Sequence, residues 1–175
     1  MKTNRTVLIV AAVCIALAAC SKKNVKEGPS DNGVQAGTSA NTQGISGPTA
    51  GGKYTPADLE SDSCLRQRVV YFDFDKDAVR PEFQAIVACH AKYLVDRPQA
   101  HMRLEGNTDE RGSRQYNLGL GERRGDAVMA AIRGNGGSAA QMEVVSYGEE
   151  RPVCTESNED CWSKNRRVEI VYTAK

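Results

Sequence analysis

Along the 175 residues the spacing of apolar positions changes several times, and each change predicts a different element. Val7 to Ala19 is one uncharged apolar run. From Ser21 to about Thr55 apolar residues are sparse among Gly, Ser, Asn, Thr and Lys, so this stretch has nothing with which to bury a core and is expected to be disordered. Arg68-Val69-Val70-Tyr71-Phe72-Asp73-Phe74 is β-branched and aromatic and predicts a strand, followed by a loop at Asp75-Lys76-Asp77. Arg80-Pro81 opens a helix, since Pro suits the first helical position. Phe83, Ile86, Val87, His90 and Leu94 recur at helical spacing as its buried stripe, and Asp96-Arg97-Pro98 ends it.

The period then returns to two over His101–Asn107, a second strand. A long helix is predicted from about Ser113 to Arg133, stopped by Gly134-Asn135-Gly136-Gly137. Gln141–Tyr147 predicts a third strand, Asn158–Lys164 a short helix and Arg167–Tyr172 a last strand. The order βαβαβ, with the final strand added through the short helix, predicts an α+β sandwich with helices on one face of a single sheet. His90 lies on an apolar stripe and is expected to be a packed core residue rather than a catalyst.

The amino terminus carries a different message. Lys2 and Arg5 precede the apolar run, which is short for a membrane span and has the layout of a secretory signal over residues 1–19. The run ends in Leu17-Ala18-Ala19-Cys20, which resembles a bacterial lipobox. That resemblance implies cleavage before Cys20 and lipidation of Cys20, with residues 20–55 as a lipidated, flexible linker and 56–175 as the folded domain. Ser21 follows, with no Asp to retain the protein at the inner membrane, so the lipobox rule implies the outer membrane with the domain facing the periplasm. Each buried acyl methylene contributes about 0.8 kcal/mol to such an anchor. A flexible linker of about 35 residues would span roughly 30–35 Å r.m.s..

Net charge is +1, so no nucleic-acid partner is expected. Beyond Cys14 and Cys20, the cysteines are Cys64, Cys89, Cys154 and Cys161, an even number that suggests disulfides in an exported chain. The sequence does not choose among the pairings. The favoured one joins Cys154 to Cys161 across a short loop, contributing roughly 2.5 kcal/mol in the chain-entropy account, and Cys64 to Cys89. With no CxxC and two His, no metal site or cofactor is expected.

The candidate chemistry lies in Leu104-Glu105-Gly106-Asn107-Thr108-Asp109-Glu110-Arg111-Gly112 and the helix after it. Asp109 stands where the second strand leaves the sheet, and Gly112 permits a tight turn back. Arg124 is in helical register with Leu120 and Val128, an expensive place for a cation unless a partner meets it. Either Asp109 and Arg124 pair with each other, or they hold the ammonium and carboxylate of one zwitterionic ligand.

Asn107-Thr108-Asp109-x-x-Gly112, Asn117, Leu120, Arg124 and Asn165-Arg166-Arg167-Val168-Glu169 resemble the OmpA C-terminal-like family over essentially Val70 to Tyr172. Tyr71-Phe72-Asp73-Phe74-Asp75 and Val145-Ser146-Tyr147-Gly148 resemble its lipoprotein members in particular. The resemblance implies one mixed sheet with helices packed on one face. It implies a domain that binds peptidoglycan through diaminopimelate, using Asp109 and Arg124, with Asp75, Phe74, Thr108 and Leu120 lining the site. It also implies a second partner, the propeller protein TolB, and a role in envelope integrity and division. Alternatives are a general wall anchor without the Tol partnership, or a lipoprotein that only docks proteins. Gly121 and Gly125 depart from the family pattern and, as helix glycines, are expected to cost about 1 kcal/mol each relative to Ala. An enzyme would need a nucleophile or an activated water. No Ser or Cys sits in a triad context, and Asp73 and Asp75 read as loop acids rather than a glycosidase pair, so no catalytic residue is expected.

Overall fold

A computed structural model describes residues 52–175. The expected signal, the lipidation site Cys20 and nearly all of the linker lie outside the described residues. The linker boundary at residue 55 moves earlier, because Tyr54 is buried, its ring lies 6.1 Å from that of Tyr93, and its N–H donates to Asp96.

A single helical turn, α1 (Asp58–Ser61), comes first and was not legible from periodicity, being too short to repeat. β1 covers Val69–Tyr71, shorter than the predicted strand. One further backbone bond runs from Phe72 to Arg166, and then the chain turns through Asp75, at φ 55°. Pro81 opens a 3-10 turn rather than the helix itself; α2 follows as Gln84–Asp96. β2 is His101–Asn107, as predicted. α3 (Arg114–Gly134) starts at a Ser113 cap whose hydroxyl accepts from the Tyr116 N–H. β3 is Met142–Gly148; α4 (Glu159–Asn165) is capped by Asn158; β4 is Arg167–Ala174.

The strands order as β1-β4-β2-β3, with β2 and β3 parallel and the other neighbours antiparallel. The parallel pair is joined by α3, as a crossover connection requires. Met102, Leu104, Val168 and Ile170 share one core with Val87 and Leu94 of α2 and Val128 and Ile132 of α3. The intervening positions on the other sheet face carry ion pairs, Arg103–Glu105 at 2.7 Å and Arg167–Glu169 at 2.6 Å. The fold is therefore the predicted α+β layer pair, one mixed sheet with helices on one face.

Disulfides join Cys64 to Cys89 and Cys154 to Cys161. His90 is buried, its Nδ1 2.8 Å from the Tyr172 hydroxyl and its Nε2 3.0 Å from the Gln67 carbonyl. A carbonyl can only accept, so Nε2 carries the proton and Nδ1 accepts from Tyr172.

The helix glycines have a reason that the sequence hid. A Cβ on Gly106 would lie 1.9 Å from the Gly121 carbonyl oxygen, and one on Gly121 2.3 Å from Ser146 Oγ. On Gly125 it would meet a Val144 methyl at 2.4 Å. The expected saving from Ala at Gly121 and Gly125 is thus overturned by contact, since α3 is pressed closely onto β2 and β3. Gly121→Ala is expected to destabilise by about 1–3 kcal/mol in urea unfolding. A more stable variant would contradict this account of the helix approach.

Burial lowers the His90 imidazole from 6.5 to about 4. Between those values the unfolded chain binds more protons, so stability rises with pH. The contribution is complete above 6.5 and is lost as pH falls towards 4. Urea unfolding at pH 7 and pH 5 should show a loss of about 2 kcal/mol. His90→Gln should be weaker at pH 7 but flatter across the window; an equally steep decline in both proteins would assign the effect elsewhere.

Candidate functional site

The turn after β1, the exit of β2 and the first half of α3 enclose a pocket of about 240 Å³. Phe74, Asp75, Thr108, Asp109, Arg111, Tyr116, Leu120 and Arg124 are among its lining residues. All six residues expected at the site are therefore brought to one cavity.

Arg124 has no exposed surface. Its partner is not Asp109, as the simpler expectation had it, but the backbone. Nε donates to the Lys76 carbonyl at 2.8 Å, Nη1 to Asn107 at 2.9 Å and Nη2 to Asp73 at 3.1 Å. Three neutral acceptors satisfy hydrogen bonds without cancelling the charge. Each terminal nitrogen keeps a further N–H. Burial pulls the guanidinium down to about 10, opposed by nearby Asp109, so Arg124 is a cation at pH 7.

Asp109 is buried and differently held. Arg111 reaches both of its oxygens, Nη2 to Oδ2 at 2.8 Å and Nε to Oδ1 at 3.2 Å. Arg166 adds Nη1 to Oδ2 at 3.2 Å, while also donating to the Phe72 carbonyl and to Glu159. Burial by itself would raise the Asp109 carboxyl, but hydrogen bonds from Arg111 and Arg166 outweigh it and keep the group below the usual carboxylate range. Asp109 is an anion and Arg124 a cation, and among the described residues no hydrogen bond or ion pair joins them.

The rim completes the geometry. Asp75 accepts from the Tyr116 hydroxyl, and Asn117 donates to Glu149. Phe74 is exposed. Arg111 lies between two rings, 4.0 Å from the centre of Phe74 and 4.1 Å from that of Trp162. Thr108 Oγ1 and Asn117 Oδ1 are buried with no partner among the described residues, and both side chains line the pocket. Such orphaned acceptors suit a ligand that brings donors. Among the described residues no cluster of His, Cys, Asp and Glu fit for a metal occurs.

Sequence reasoning assigned no role to Arg111, Tyr116 or Trp162. Arg111 follows Asp109 by two residues and could have been flagged as a local counter-ion. Arg166, noted only within its motif, and Trp162 reach the site from α4 and its end, which no spacing rule connects to β2.

A mixed four-stranded sheet, covered on one face and carrying a charge-lined pocket where its second strand meets the following helix, defines an α+β domain built to bind a charged ligand. A profile of the OmpA family matches residues 71–166. The peptidoglycan-associated lipoprotein of Haemophilus influenzae is 42% identical over 165 residues, covering 94% of this chain and 95% of that protein. That of Pseudomonas putida is 41% identical over 167 residues, covering 91% and 93%. The crystal structure of the Burkholderia pseudomallei peptidoglycan-associated lipoprotein superposes with a TM-score of 0.64 at 46% identity, over 66% of this chain and 98% of that one. The carboxy-terminal domain of Helicobacter pylori MotB shares the fold, with a TM-score of 0.56 at 23% identity over 61% and 84%. The chain belongs to the OmpA family, and within it to the peptidoglycan-associated lipoproteins.

Removing the buried cation should expose how much the pocket floor depends on it. Arg124→Ala would orphan the carbonyls of Asp73, Lys76 and Asn107 and leave a cavity. Urea unfolding should record a loss of about 3 kcal/mol or more. A loss below 1 kcal/mol would mean water satisfies these groups.

Proposed function

We propose that this domain holds peptidoglycan non-covalently by the diaminopimelate residue of its stem peptide, as the folded part of a lipoprotein anchored through Cys20 in the outer membrane. The carrying observation is a buried anion, Asp109, and a buried cation, Arg124, that line one pocket without being bonded to each other. The free end of diaminopimelate is an ammonium and a carboxylate on one carbon. Asp109 takes the ammonium and the remaining N–H groups of Arg124 take the carboxylate, while Thr108, Asp75, Phe74 and Leu120 shape the walls. Membership among proteins named peptidoglycan-associated lipoproteins supports the same ligand. The domain works by binding, without catalysis. Partnership with TolB within the Tol system is carried by the family resemblance alone, and a pull-down from periplasmic extract decides it against a general wall anchor.

The chemistry predicts selectivity. Lysine-type stem peptides bring the ammonium but lack the second carboxylate, leaving Arg124 uncompensated. Hydrogen bonds to charged groups contribute roughly 1.5–3 kcal/mol, so the lysine peptide should bind at least about tenfold more weakly. Calorimetric titration of the chain from residue 20, carried as Cys20→Ser, would measure both peptides. Asp109→Asn should weaken the diaminopimelate peptide by a similar factor, and Arg124→Lys should erase the preference between peptides with the fold retained. Equal affinities for the two peptides would sink the clamp.

A further inference from the structure

The anion at the centre of this site is already occupied. Both oxygens of Asp109 accept from Arg111, and the Arg111 backbone N–H donates to Oδ1 at 3.1 Å. Arg166 is anchored by a backbone carbonyl and a second carboxylate, and it is only 7% exposed. Arg111 is different. Its side chain is 31% exposed, it reaches Asp109 from the pocket wall, and its flat guanidinium is held by the Phe74 and Trp162 rings. Glu159, whose other oxygen accepts from Arg166, lies 3.6 Å from Arg111 Nη2. An incoming ammonium and the Arg111 guanidinium therefore compete for the same carboxylate, and Arg111 has a second carboxylate to move to.

We propose that Arg111 is a displaceable counter-ion that closes the site in the free protein and must swing from Asp109 onto Glu159 before a ligand ammonium can bind. This inference rests on the clamp reading above and concerns its control. Arg166 stays with Asp109 throughout, so the carboxylate is never without a cation. The aromatic pair keeps Arg111 flat during the transfer and limits how far it travels. Occupancy by Arg111 lowers the apparent affinity by the fraction of time the site is closed. It also sets specificity, since a cation gains access only if further contacts, such as a carboxylate on Arg124, offset the loss of the Arg111 pair.

The chain has a single tryptophan, Trp162, and Arg111 is stacked on it, so movement of Arg111 is visible as a change in Trp emission. The experiment titrates a diaminopimelate tripeptide into the chain from residue 20 (Cys20→Ser), Arg111→Ala and Arg111→Gln, following heat and Trp fluorescence. The unmodified residue should give a fluorescence change that saturates with the heat. Both variants should bind about five- to tenfold tighter, with faster association and no such change in emission. Arg111→Gln retains the bulk of the side chain should the Ala variant not fold. Weaker or unchanged binding in the variants would overturn the gate and make Arg111 a ligand contact or a bystander. Absence of binding with Arg111 present and with it removed would instead overturn the clamp, and the gate with it.

Discussion

A buried guanidinium sits where three segments of the chain meet, and much of the domain's functional end depends on it. Arg124 comes from α3, and its acceptors are Asp73 and Lys76 in the turn after β1 and Asn107 at the end of β2. A buried cation is costly without partners, and three of the five Arg124 N–H groups find backbone carbonyls here, so this arrangement stands only while turn, strand end and helix keep their positions. The turn holds a non-glycine residue, Asp75, at positive φ, a conformation that tertiary contacts must support. The Arg124 bonds on either side of Asp75, with the Tyr116 hydroxyl on its carboxylate, supply that support.

The same end of the sheet solves a charge problem. Asp109 is balanced by two arginines of different character, one fixed by backbone and one resting between aromatic rings. The fixed one, Arg166, depends on the segment before β4. There, Asn165 accepts from the Val153 and Cys154 N–H groups and donates back to Cys154, and the Cys154–Cys161 disulfide closes the loop. A brace far from Asp109 in sequence thus sets the electrostatics of the pocket. A neutral acceptor set around Arg124 and a cationic set around Asp109 leave the two charges separate, which suits recognition of a group bearing both signs.

Close approach is the third element. Gly106 and Gly121 let α3 lie against β2 with backbone almost touching backbone, and this brings Arg124 within reach of the Asn107 carbonyl. In helix-propensity terms Gly121 and Gly125 look like defects. In the packed molecule they are the positions where any side chain would push the helix off the sheet.

The strands and long helices were legible because burial on one face writes a period into local sequence: β2 and α3 fall within a residue or so of their expected bounds, and His90 sits in the core as its stripe required. Asp109 and Arg124 were legible from spacing, Phe74, Asp75, Thr108 and Leu120 came only from the family resemblance, and the Cys pairing was favoured but not decidable, since any two thiols can pair on paper. What sequence could not supply were relations between distant segments. Arg124 bonds to carbonyls about 50 residues away and Arg166 joins Asp109 across 57, while Trp162 of α4 stacks on Arg111 in the loop after β2. β1 ends early and Tyr54 joins the core for the same reason, as both depend on what packs against them. Periodicity records which face of an element is buried; only the packed chain decides which charge meets which partner, because that choice depends on three-dimensional distance and shared desolvation, not on local spacing.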